Sequence, residues 1–379
     1  MLANGAAVRE DAGMDFAAHG LLDGLRGDER VQREALLTRL AQDGFTLQEL
    51  ARAVGENRLA LLPVDRVLGG TCSARDVEAQ TGLDAATMIR IRQMQGLPAV
   101  GPDDLVFSAE DVEAARATRR FLEAGFDEER IIEVTAVLGE GMARLAATIT
   151  AAAGRTFLHK GDSEDDVARR FAEVAEQLTP AVPPILVAAF TAHLRDAVAR
   201  GVLGRAEIDA GDLAGAQDMA IGFADVVGFT RLGSQVEVGE LGTVAGRLGR
   251  LSASLVHAPV RLIKTIGDAA MFVSPDPEPL VVVLLRLVAT FEAEQLPGIR
   301  AGVAYGPALA RAGDYFGHPV NLASRVTGVA RPGSVLCTRE VRDAAAGLEW
   351  SAAGRFKLKG VTGPTRLYRA RAEGGGRVA

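Results

Sequence analysis

Apolar positions recur at helical spacing through the first half of the chain and crowd into short strand-like runs through the second. From Asp28, through RVQREALLTRLAQDG, they fall three and four apart, which predicts an amphipathic helix stopped at Gly44. A second helix is predicted over 46–54. Residues 73–92 read as helix, short turn around Gly82, helix, the outline of a helix-turn-helix. Helical patterns continue through 107–133, 131–153 and 165–177. Pro180, Pro183 and Pro184 punctuate the chain before another helix at 185–199. Residues 1–20, rich in Gly and Ala with scattered charge, are expected to be loosely ordered. No strand pattern stands out, so residues 1–190 are expected to form an all-helical domain. The polar, Gly-dotted stretch at 201–218 reads as linker, and the interdomain segment as a whole is set at 191–217.

The periodicity then changes. MAIGFADVV at 219–227 is an apolar run with Asp225 near its end, leading into a Gly-Phe-Thr turn. A helix over 236–256 carries Leu241, Val244, Ala245, Leu248, Leu251 and Leu255 on one stripe. In VRLIKTIGDAAMFVS, at 260–274, two β-type runs flank Gly267-Asp268, the signal for a tight hairpin with an exposed carboxylate at its tip. A helix at 280–294, a strand at 298–305, a hairpin-like AGDYFG at 312–317 and a helix at 319–329 follow. A strand at 334–337, a short helix at 339–346 and closing strands at 354–358 and 365–370 complete the pattern. The leading order is that of an α+β, ferredoxin-like unit, written in full βααββαβ, over residues 218–372. Residues 373–379 are expected to be a disordered tail.

Composition narrows the function classes. A length of 379 residues suits two domains, and 48% apolar content is ample for two cores. The helical outline at 71–140 resembles the helix-turn-helix region of MerR-type transcription regulators, but there seven arginines stand against fourteen acids. DNA binding draws on phosphate neutralisation, which such a segment is poorly equipped to supply, and the whole chain carries −7. No DNA partner is expected. No apolar run is long enough to cross a bilayer, and no basic stretch followed by an apolar core marks a signal peptide. Cys72 and Cys337 form no metal-like pair, which fits a reducing cytoplasm. His19, His159, His193, His257 and His318 show no ligand spacing; together they could titrate near neutral pH and bias a domain contact.

A carboxylate at the end of a buried strand, before a Gly-containing loop and a helix, suits a hard cation and a phosphate; Asp225 could equally cap that helix. Lys264 is one of four lysines in an arginine-rich chain, which raises the question of why a point charge is needed there. On that stretch alone, a surface hairpin with a solvated Asp268 and Lys264 is the simpler reading. Asn321 and Arg325, four apart, project from one helix face.

Taken together, FADVVGFT, IKTIGDAAMF, GDYFGHPVNLASR and FKLKG resemble the catalytic domain of class III nucleotidyl cyclases, in the right order from about residue 218 to 371. The helical front half followed by this domain is also similar to adenylate cyclases of the mycobacterial, acid-responsive type. The resemblance implies that Asp225 and Asp268, with the carbonyl of Val226, hold two Mg²⁺ or Mn²⁺ ions per site. It implies that Lys264 and Asp314 select adenine, where guanylate cyclases carry Glu and Cys-type residues, so ATP is the expected substrate. Asn321 and Arg325 would act on the transition state, and Lys359 and Arg300 would bind the triphosphate. Phe229 and Thr230 would shape the phosphate loop. The family's sites form across a dimer, so a homodimer with two equivalent sites is implied. The helical half is expected to regulate, and to inhibit, turnover. The competing readings are a nucleotide-sensing transcription regulator and a guanylate cyclase.

Overall fold

The computed structural model describes residues 14–199, 215–229 and 238–371. It divides into two compact units, Met1–Gly201 and Val202–Ala379. Among the described residues no helix is long and apolar enough to cross a membrane.

The first unit is helical: α1 (Gly27–Gln42), α2 (Leu47–Gly55), α3 (Leu62–Leu68), α4 (Ala74–Thr81), α5 (Ala85–Met94), α6 (Ala109–Glu123), α7 (Glu128–Phe157), α8 (Glu164–Leu178) and α9 (Val182–Ala199). Four of them start in a capping box, with Thr46, Ser73, Ser108 and Ser163 each exchanging hydrogen bonds with an acid three residues on. One core gathers Leu36, Leu37, Leu40, Leu50 and Leu62 with Ala168 of α8. A second gathers Val77, Met88, Ile91, Phe107, Val112 and Ile132 around the helix-turn-helix pair α4–α5. Two sequence expectations need correction. Residues 14–20 are not loosely ordered, because Phe16 is buried in the first core beside Leu21 and Leu22. The segment 191–199 is not linker, because α9 runs unbroken through it.

An ion pair closes the α7–α8 corner. Arg170 donates to Asp162 at 2.6 Å and to the Phe157 carbonyl at 2.6 Å, while the His159 N–H donates to Asp162 at 2.8 Å. Arg170, then the His159 N–H, hold the Asp162 carboxyl below its ordinary value.

In the second unit the elements run β1 (Gln217–Val226), α10 (Val238–Leu255), β2 (Arg261–Ile266), β3 (Ala269–Ser274), α11 (Pro277–Ala293), β4 (Ile299–Arg311), β5 (Asp314–Phe316), α12 (His318–Val329), β6 (Ser334–Cys337), α13 (Arg339–Ala344), β7 (Glu349–Lys357) and β8 (Pro364–Arg371). The sheet order is β2-β3-β1-β4-β6-β8-β7, with β5 paired to β4 alone. β1 lies antiparallel between β3 and β4, as the ferredoxin-like order requires. Between β1 and β2 one helix, α10, is described, where the expected order βααββαβ has two; residues 230–237 lie outside the described residues.

Both faces of β1 are covered, which explains its nearly unbroken apolar run. Ala220, Ala224 and Val226 face a core with α10 and α11. Met219 and Ile221 face another with Leu322, Ala323 and Val326 of α12. α12 rests on Gly302 of β4, where a Cβ would lie 2.3 Å from the Thr327 nitrogen and 2.8 Å from the Ala323 carbonyl oxygen. Only glycine admits that approach.

Two outcomes follow. Gly302→Ala, forced against helix backbone, should lower the unfolding free energy by about 3 kcal/mol in urea titration, whereas Gly328→Ala, with open space around it, should not lower it. For Asp162, a depressed carboxyl contributes stability above the unfolded pKa of about 3.9 and loses it as pH falls through the lower folded value. Asp162→Asn should therefore melt below wild type at neutral pH, and the gap should close on acidification past that range.

Candidate active site

Strand parity and register bring the charged residues to the α12 side of the sheet. Asp225, next to last in β1, pairs with Ala269 of β3 and with Arg300 of β4. The β2–β3 turn folds against this strand end: Gly267 takes φ +58°, and the Val226 N–H donates to the Asp268 carbonyl at 3.0 Å. The two carboxylates therefore sit side by side. Asp268 is half-buried, not the exposed tip the sequence suggests. Burial pushes its carboxyl above the usual range; its own backbone hydrogen bond opposes this, the Asp225 charge adds to it, and Arg300 opposes it.

Arg300 is placed differently from a free phosphate ligand. Its Nε and Nη2 donate to Asp225 Oδ2 at 2.9 and 2.6 Å, and its Nη1 donates to the Gly328 carbonyl at 3.0 Å. One guanidinium thus joins the β1 carboxylate to the C-terminal turn of α12. Val226 is buried and pairs with Ile299, and the ring of Phe229 packs on the α10–α11 core. Thr230 lies outside the described residues.

A second cluster forms where the β4–β5 hairpin reaches across to β2. A bulge at Ile263 moves the register from Leu262↔Phe272 to Lys264↔Met271. Regular alternation would put Arg261 and Lys264 on opposite faces; the extra residue puts them on one. Lys264 pairs with Asp314, whose other oxygen accepts from the Tyr315 N–H at 2.9 Å. Beside it, Arg261 donates to the Tyr315 hydroxyl, with its guanidinium carbon 5.5 Å from the ring centroid. Sequence reading missed Arg261 and Tyr315. The adjacency of Tyr315 to Asp314 was a signal; the bulge left none.

Asn321 and Arg325 are exposed on α12, opposite the buried Leu322, Ala323 and Val326. Arg325 makes no ion pair among the described residues. Lys359 is exposed in a turn after β7, held by the buried Leu358, whose carbonyl accepts from the Val361 N–H at 3.2 Å. The structure thus gathers Asp225, Asp268 and Arg300 in one cluster and Lys264 and Asp314 in another. Arg325 and Lys359 are bonded to neither.

The donor set suits a hard divalent cation. Asp225 and Asp268 offer oxygen ligands, and two negative charges stand against the one positive charge of Arg300. Among the described residues no three His, Cys, Asp or Glu side chains form a closed cage. An ion held by two carboxylates keeps positions open for water and phosphate oxygen, as Mg²⁺ prefers.

Comparison with known proteins agrees with this architecture. Residues 14–198 match the model of the adenylate cyclase regulatory domain, and residues 213–370 match that of the adenylate and guanylate cyclase catalytic domain. The pH-sensitive adenylate cyclase MT1302 of Mycobacterium tuberculosis is 40% identical over 378 residues, covering 96% of this chain and 94% of the relative. An adenylate cyclase of Streptomyces coelicolor is 32% identical over 293 residues, 74% of each protein. The stretch 71–140, MerR-like in outline, lies inside the segment matched by the regulatory-domain model. The chain belongs to the class III adenylate cyclase family, with an adenylate cyclase regulatory domain ahead of the cyclase catalytic domain.

Proposed function

We propose that this chain converts ATP to 3′,5′-cyclic AMP and pyrophosphate at sites shared between two copies, under control of its helical domain. The observation that carries the reading is the Asp268 turn packed against the end of β1 beside Asp225. Two bound Mg²⁺ or Mn²⁺ ions would lower the pKa of the ribose 3′-hydroxyl and neutralise the triphosphate. Asp225, Asp268 and the Val226 carbonyl are the groups that would hold them.

The remaining steps belong to side chains. Lys264 donates to adenine N1 and Asp314 accepts from the N6 amino group; the two now satisfy each other, and the base takes over both. Guanine presents the reverse pattern, a donor at N1 and an acceptor at C6, which favours ATP over GTP. Asn321 orients the ribose and Arg325 meets the charge that builds on the α-phosphate, so positioning and electrostatics carry the rate. Lys359 neutralises the triphosphate. Arg300 gives three of its five N–H donors to Asp225 and the Gly328 carbonyl, which leaves one on each terminal nitrogen for a phosphate oxygen.

Three observations favour a shared site. Arg325 lacks a partner among the described residues, and Ile266, next to the carboxylate turn, is 55% exposed. Phe316, beside Asp314 and Tyr315, is 53% exposed. Apolar side chains left in water beside a polar site suit a surface covered by a second copy. The helical unit supplies regulation: a small rotation of one catalytic domain against its partner would separate the carboxylates from Asn321 and Arg325. The pH-sensitive relative makes proton concentration the first input to test.

Asp225→Ala and Arg325→Ala should each reduce cyclic AMP formation at least about a hundredfold. Mixed in equal amounts and allowed to exchange, they should recover about a quarter of wild-type activity, because half the dimers then hold one intact site. No recovery would contradict a shared site. Deleting residues 1–210 should raise turnover, followed by cyclic AMP formation between about pH 5 and 8. Equal rates with and without the helical unit at every pH would remove it from regulation.

A further inference from the structure

Lys264 and Asp314 are carried by elements that the sheet does not tie together. β2 is an edge strand, and β5 hangs from β4 on the far side of β3 and β1. The β4–β5 ribbon is short: Leu309↔Phe316, Ala310↔Tyr315 and Arg311↔Asp314 are its rungs. A two-stranded ribbon of that length draws little stability from its own pairing, so its position relative to β2 depends on side-chain contacts. Two side-chain links join β5 to β2, Lys264 to Asp314 and Arg261 to Tyr315. The first is surrendered when a base occupies the pair. The second is left in place.

We infer that Arg261 and Tyr315 are positioning residues for purine selection, a clamp that keeps the β4–β5 ribbon at a fixed distance from β2 while Lys264 and Asp314 engage the base. The inference rests on the reading of Lys264 and Asp314 as the base-recognition pair.

The geometry suits the task. Tyr315 is half-buried and packs on the core shared with α12, so its ring is a fixed surface. Arg261 is also half-buried and donates to that ring's hydroxyl, with its guanidinium carbon 5.5 Å from the centroid at the hydroxyl end of the ring, a contact that a planar guanidinium makes with a fixed direction and an ammonium does not. The bulge at Ile263 is what gives Arg261 and Lys264 a common face, so the clamp and the base contact share one local distortion of β2. Hydrogen-bond discrimination needs donor and acceptor held within a few tenths of an ångström. With the ribbon free to drift, Lys264 and Asp314 would still attract a nucleotide but would no longer measure the separation of N1 from the 6-substituent. The effect should fall on the choice between purines, beyond any effect on turnover.

The test is steady-state cyclisation of ATP and of GTP by the full-length protein with Mn²⁺, for wild type, Arg261→Met, Arg261→Lys, Tyr315→Phe and Asp314→Asn. Arg261→Met should lower the ratio of kcat/KM for ATP over GTP about tenfold, mainly through KM for ATP. Arg261→Lys, which keeps a charged donor for the Tyr315 hydroxyl, should recover part of it, and Tyr315→Phe, which removes the acceptor, should show an intermediate loss. Tyr315→Phe carries the test alone if Arg261→Met does not fold. Equal losses for ATP and GTP, or an unchanged ratio in both Arg261→Met and Tyr315→Phe while Asp314→Asn shifts it, would overturn the clamp. An unchanged ratio in Asp314→Asn would instead overturn the base-pair reading beneath it.

Discussion

The register of β1 between β3 and β4 is the constraint on which the site depends. It sets Asp225 opposite Arg300 on one side and next to the Asp268 turn on the other. Side chains alternate across a strand, so a slip of one residue would carry Asp225 to the α10–α11 face and bury a charge among Leu280, Leu284 and Phe272. Both faces of β1 are packed, so such a slip would also misplace Ile221 and Ala224. The apolar core thereby protects the position of a polar group it does not contain.

A second layer of organisation comes from α12. Gly302 lets the helix backbone lie directly on β4, and the buried Thr327 satisfies its hydroxyl within the helix by donating to the Ala323 carbonyl at 2.8 Å. Arg300 then connects that helix's last turn to Asp225. Carboxylate and helix are thus coupled through one guanidinium, at a helix C-terminus where a cation is electrostatically welcome. The helix that presents Asn321 and Arg325 cannot shift without disturbing the Asp225 contact.

Features set by local chemistry were legible before the structure. Thr46, Ser73 and Gly82 mark helix ends by capping and by a left-handed turn, and Gly267-Asp268 marks a hairpin whatever surrounds it. The order of strands followed from spacing, and the candidate site residues from four different motifs that fall in that order. What escaped was set by tertiary contact. The burial of Asp268 depends on the end of β1, and the pairing of Arg300 with Asp225 depends on two strands 75 residues apart. The bulge at Ile263 sits in RLIKTI, a string that reads equally well as a regular strand, so Arg261 could not be foreseen, and only adjacency to Asp314 pointed to Tyr315. Phe16 looked like part of a loose leader because a single aromatic in a Gly- and Ala-rich stretch has no periodicity to announce its burial.

Direct titration of Mn²⁺ by electron paramagnetic resonance, with 3′-deoxy-ATP in place of a substrate that can cyclise, addresses the central claim without relying on turnover. The carboxylate pair predicts two Mn²⁺ bound per occupied nucleotide in the native protein and loss of that binding when Asp225 and Asp268 are both replaced by Asn. The same stoichiometry and affinity in the doubly substituted protein would contradict it.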